Sequence, residues 1–239
     1  MLHTMENGVL SVTVHSLGAE LWDIHTLGKT SVSCLWDGKP EVWPRRAPVC
    51  FPWCGRVEEG WFQEEGVRYE AGPHGFVRDL EHTLAERGEH WLRFRLEWPG
   101  DSRRWPWAFT FETLHRLEGN RLTTTCTAVN HSTQPMPAQL GFHPGFRCPL
   151  DPARGLEDYA VRFQRPEAPD GTDLLPLTPG LFDQDSICFQ DLRSAWVRLE
   201  ERGTGRYLQV DLEGAPYLLL WSQPGIPGFL CIEPWSGYP

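Results

Sequence analysis

Among the residues able to do chemistry, one carboxylate stands where water should not reach it. In "YLLLWSQPGIPGFLCIEPWSG", residues 217–237, Glu233 is the single charged side chain. Burying an unpaired charge costs several kcal/mol, so such a group needs a partner or a task. A carboxylate against an apolar wall is also a stronger base. In "LGFHPGF", residues 140–146, His143 precedes a proline that pushes its backbone toward extended geometry. Gly141 and Gly145 allow close backbone approach on either side. Imidazole, with a reference pKa of ~6.5, can give or take a proton near neutrality.

Two further stretches carry polar groups in turns. "GPHGFVRD", residues 72–79, holds His74 between glycines, and "APVCFPWCGRV", residues 47–57, leads into Arg56. The planar guanidinium of Arg56 would be a fixed donor fork for a polar ligand, or else a solvated charge. For both histidines, a packed ring with satisfied hydrogen bonds is the competing account. Cys50 and Cys54 with His74 or His143 could suggest zinc, but the spacing is loose and a second cysteine pair is missing. No metal is expected.

The elements that must position these groups read as strands. In "WLRFRLEW", residues 91–98, Leu92, Phe94, Leu96 and Trp98 alternate with Arg93, Arg95 and Glu97, as in a half-buried strand. "LSVTVHS", "WAFTFETL", "RLTTTCTAVN", "YAVRF", "WVRLEE" and "YLQVDLE" keep the same period of two. "DLEHTLAERGEH", residues 79–90, has helix propensity with Gly88 as a cap, against a strand or irregular reading. With 21 prolines and 23 glycines spread throughout, and no repeat or linker, residues 1–239 read as a single all-β domain of antiparallel strands.

Composition narrows the partners. A net charge of −10 argues against nucleic acid and anionic membranes. The seven cysteines are odd in number and several sit in apolar runs, which suits reduced, buried thiols and a cytoplasmic setting. Neither a secretory leader nor a run of ~18 apolar residues is seen. Oligomeric state is not legible.

Taken in order, "LGAELWDI", "CLWDG", "WPRRAPVCFPWCGRV", "HGFVRD", "MPAQLGFHPGF", "LFDQDSICF" and "CIEPW" resemble the aldose 1-epimerase (galactose mutarotase) family, in its shorter LacX-like bacterial branch. The resemblance implies a large antiparallel β-sandwich, the galactose mutarotase-like supersandwich, with a sugar site in a cleft. It implies interconversion of the α and β anomers of a free aldose, without cofactor or metal. By motif, Glu233 takes the role of base and His143 that of proton donor. His74 and Arg56 fall on sugar-binding positions, as does Asp185, with Asp183 close enough to compete. Gly55 stands where larger galactose mutarotases carry an asparagine, so sugar preference does not carry over. The chain ends at Pro239, where relatives usually continue through further strand; truncation or a natural short form would each explain it. Rival readings are a hexose 6-phosphate mutarotase using Arg45, Arg46, Arg78 or Arg147, and a sugar-binding protein without turnover. Glycoside hydrolysis needs two carboxylates across the bond, and only Glu233 has a convincing setting.

Overall fold

The computed structural model describes residues 1–101 and 103–238, almost all in strands and connecting turns. Its contacts fall into two compact units. Unit 1 comprises Met1–Ser31, Pro48–Gly141 and Gly237–Pro239; unit 2 comprises Val32–Ala47 and Phe142–Ser236.

Unit 1 opens with β1 (Leu2–Glu6), β2 (Leu10–His15) and β3 (Glu20–Thr26), paired in that order as an antiparallel sheet. After the short β4 (Val49–Cys50) comes a hairpin of β5 (Trp61–Glu64) and β6 (Val67–Glu70). A second sheet takes β7 (Thr83–Arg87), β8 (Trp91–Trp98), β9 (Phe109–Glu118) and β10 (Arg121–Asn130), with β8 and β9 central. The period-two pattern of β8 is realised: Leu92, Phe94 and Leu96 are buried, facing His115, Thr113 and Phe111 on β9. Trp98 ends the row half-buried, packed on Phe76.

Within the stretch 79–90 the regular element is the strand β7, Thr83–Arg87, preceded by a 3-10 turn that ends at Asp79. Thr83 and Leu84 pair with Arg95 and Phe94, and the ladder shifts register before Glu86. An edge position beside a strongly patterned partner outweighs local helix propensity, which is only a weak prior. Gly88 caps no helix. It closes the β7–β8 hairpin by donating from its N–H to the Trp91 carbonyl, and any Cβ there would strike the Trp91 indole.

Unit 2 contains the end of β11 (Gly141–Phe142), then β12 (Gly145–Arg147), β13 (Tyr159–Phe163), β14 (Leu174–Pro176), β15 (Ile187–Gln190), β16 (Trp196–Glu201), β17 (Arg206–Asp211), β18 (Tyr217–Trp221) and β19 (Phe229–Trp235). β14, β13, β16 and β17 make one antiparallel sheet. Its buried corner is polar: the Tyr159 hydroxyl donates to Glu201 at 2.8 Å, and Arg206 donates to both Glu201 and Asp151. Burial alone would raise the Glu201 carboxyl, but these donors outweigh it and hold it below the usual range. In the other sheet β19 is central, with β15 and β18 to one side and β11 and β12 along the other.

Candidate active site

Glu233 lies in β19 at a row of alternating residues, Phe229, Cys231, Glu233 and Trp235, which share one face of the strand. β12 runs antiparallel to β19 with Gly145 opposite Cys231. Continuing that register two residues further sets His143 opposite Glu233. His143 and Pro144 fill the gap between β11 and β12, because a proline cannot donate to the ladder. The chain stays close to the sheet there: the Pro144 carbonyl still accepts from the Ile232 N–H at 3.3 Å.

The two side chains meet. His143 Nε2 is 3.3 Å from Glu233 Oε2, with side-chain exposures of 8% and 2%. The wall around the imidazole is aromatic. Trp43 stacks on it with centroids 5.1 Å apart, and Trp221 meets it edge-on at 5.9 Å. Trp43 is itself held by Phe229, stacked at 5.2 Å, and by Trp36, whose indole N–H donates to the Trp43 carbonyl at 2.8 Å. Gly145 makes room for this arrangement. A Cβ on it would lie 2.7 Å from the Trp43 ring, and its N–H and C=O bond to Arg46 and Trp36. Glu233 thus sits on a paired strand with His143 at the break beside it, both in surroundings where charge interactions are strong.

His74 and Arg56 belong to unit 1. His74 adopts a positive φ of 64°, a conformation uncommon outside glycine. Its N–H donates to the Gly55 carbonyl at 2.6 Å, and its Nδ1 accepts from the Gly55 N–H at 3.1 Å. The Cys50 thiol lies 3.5 Å from the same nitrogen. Burial pushes that thiol well up, so it remains an S–H able to donate. With Nδ1 an acceptor, the neutral ring carries its proton on Nε2. Gly55, with φ of 71°, therefore closes a two-way clasp on His74, and Arg56 follows it at the exposed surface.

Asp185 sits on an exposed turn with φ of 85°, its carboxylate accepting from the neighbouring Ser186 N–H. Asp183 is exposed three residues past Gly180. Among the described residues neither aspartate makes a hydrogen bond or ion pair with His143 or Glu233. Of the arginines that a phosphate reading would use, Arg147 lies 3.9 Å from Asp37, and Arg78 donates to the Pro73 carbonyl. Trp53 and Trp235, in the "FPWCGRV" and "CIEPW" runs, are both buried. Trp53 packs against Phe62, Phe76 and Trp105 as core.

Three residues of the site carry little signal in the sequence. Trp43, in "WPRRAPVC", has no local feature that marks a role. Gln139, in "MPAQLGF", ties down the Pro52–Cys54 loop: its N–H donates to Pro52 and its side-chain oxygen accepts from Cys54 N–H. Cys231 stands two residues before Glu233, and same-face alternation in a strand was the signal available for it.

A family profile described as Aldose 1-epimerase matches residues 1–179, and the chain belongs to that family. Protein LacX (chromosomal) of Lactococcus lactis subsp. lactis is 32% identical over 262 residues, an alignment spanning 98% of this chain and 87% of that protein. The galactose mutarotase related enzyme of Lactobacillus acidophilus superimposes with a TM-score of 0.90 at 27% identity, covering 99% of this chain and 86% of its own. A galactose mutarotase-like protein of Lactobacillus casei, at 23% identity and a TM-score of 0.89, shares the fold over 100% of this chain and 89% of its own. The fold is the galactose mutarotase-like antiparallel β-sandwich. Among the described residues no helix is long and apolar enough to cross a membrane.

Proposed function

We propose that this protein is an aldose 1-epimerase acting on a free aldohexose, with Glu233 as base and His143 as acid. The observation that carries this reading is the 3.3 Å separation of Nε2 and Oε2. Mutarotation removes a proton from the anomeric hydroxyl and delivers one to the ring oxygen, and both oxygens are bonded to the same carbon. An acid and a base serving them must therefore stand side by side.

In the forward step Glu233 accepts the hydroxyl proton while His143, as imidazolium, protonates the ring oxygen. The C1–O5 bond breaks, the hydroxyl oxygen becomes the aldehyde carbonyl, and the open chain is released to rotate about C1–C2. Reclosure reverses both transfers on the other carbonyl face and restores both groups. No redox change or leaving group is involved. Trp43 and Trp221 keep the imidazole ring in plane and exclude water from the pair. His74, presenting Nε2–H, Arg56 and Asp185 are assigned to sugar hydroxyls on the family resemblance. The sugar class rests on that resemblance too, while the single-domain reading of residues 1–239 rests on the absence of a repeat or linker in the sequence.

The test is polarimetric decay of fresh α-D-glucose and α-D-galactose with wild type and Glu233→Gln. Wild type should accelerate at least one sugar, and the variant should lose ~10²–10⁴ of that acceleration. Equal acceleration by both proteins would remove Glu233 from the mechanism.

A further inference from the structure

The acid–base reaction leaves one group beside the reacting pair without a task. Cys231 has no exposed surface and shares its strand face with Glu233. One donor atom from each of His143, Cys231 and Glu233 lies within 4.8 Å of the other two, and all three residues are buried. We propose that this triad is a binding site for a borderline divalent cation, with Zn²⁺ the best match.

The donor set selects the ion. An imidazole nitrogen, a thiolate and a carboxylate together suit Zn²⁺, whereas Mg²⁺ and Ca²⁺ favour sets made of oxygen alone. The three donors stand within reach of one ion. With Zn–N and Zn–O near 2.0–2.2 Å and Zn–S near 2.3 Å, the edges of a tetrahedron run about 3.4–3.6 Å. The His143–Glu233 edge is already 3.3 Å, and the edges to Cys231, within 4.8 Å, close by up to about 1.2 Å on capture. Cys231 and Glu233 sit on β19 and His143 at the break just before β12, an arrangement fixed by the Gly145–Cys231 register and by the packing of Trp36 and Phe229 against Cys231. Three protein ligands leave a fourth position for water or a sugar hydroxyl. Binding displaces the thiol proton of Cys231 to solvent, so capture strengthens as pH rises.

A cation held there occupies both members of the proton-transfer pair. Inhibition of mutarotation follows, and this consequence alone rests on the proposed function. The binding test does not. Reduced, chelator-treated protein is titrated with Co²⁺ and followed by near-ultraviolet absorption, where a cobalt–thiolate bond gives a charge-transfer band. Wild type should show the band at one equivalent, and Zn²⁺ should bleach it by displacement. Cys231→Ser should abolish the band, Cys148→Ser should keep it, and Glu233→Gln should retain it with at least tenfold weaker affinity. Far-UV circular dichroism checks that each variant is folded. No band in wild type overturns the proposal. So does a band that survives Cys231→Ser and disappears with Cys50→Ser, which would move the metal to His74. If Zn²⁺ binds as described yet sugar rotation decays at an undiminished rate, the metal site stands and the acid–base assignment fails.

Discussion

At the scale of single residues, the site is a contest between charge burial and aim. Glu233 and His143 are both nearly inaccessible, which is costly for a charged pair unless the geometry is good. Trp43 supplies much of that geometry by lying flat on the imidazole. Trp43→Ala should therefore lower kcat by up to ~10²-fold, since a misplaced catalytic ring loses rate steeply with distance. The fall in kcat should exceed any rise in KM, and Trp43→Phe should recover most of it, because the stacking face is restored. Polarimetry over a substrate series separates these terms, and an unchanged kcat in Trp43→Ala would show that the ring is held by other contacts. The two ionisable residues were legible in the sequence because each broke its local context, a charge in an apolar run and a histidine before proline. Trp43 was not, since nothing in a tryptophan's neighbours along the chain says which ring it will cover.

At the scale of elements, the pairing of β12 with β19 does the positioning. A shift of one residue in that pairing would turn every alternate side chain to the other face. Gly145 fixes the approach, and its Cβ would meet the Trp43 ring at 2.7 Å. Gly145→Ala should cost ~1–3 kcal/mol through forced repacking. A lower denaturation midpoint with altered tryptophan fluorescence would show it; an unchanged midpoint would mean that Trp43 moves aside freely. Most strands could be read from period-two alternation, and "RLTTTCTAVN", "YAVRF" and "WVRLEE" coincide with β10, β13 and β16. The 79–90 stretch could not, because its strand state depends on hydrogen bonds from β8 that local propensity does not contain.

At the scale of the whole molecule, buried histidines tie stability to pH. His115 is fully enclosed in unit 1, donating from Nε2 to the Ala19 carbonyl and accepting at Nδ1 from Thr124. Burial lowers its pKa from 6.5 to about 4, with neighbouring His82, also lowered by burial, contributing in the same direction. The unfolded chain thus binds a proton that the folded chain refuses. The contribution is complete above pH ~6.5 and is lost as pH falls toward 4, amounting to roughly 3 kcal/mol for His115. Urea midpoints measured from pH 7.5 down to 4.5 should fall, and His115→Gln should flatten the slope even if it lowers stability throughout. An identical slope in the variant would assign the acid sensitivity to other groups. By itself the sequence determined the all-β class, the alternation that builds the core, and the motif order that marks the family. Those are properties of nearest neighbours and of period, which survive in one dimension. Only the tertiary structure decided that Glu233 and His143 touch, that Trp43 and Gly145 hold them, and that Cys231 joins them. The contacts of His143 with Glu233 and with Trp43 link residues about 90 to 100 positions apart, and strand register, which local sequence does not encode, brings them together.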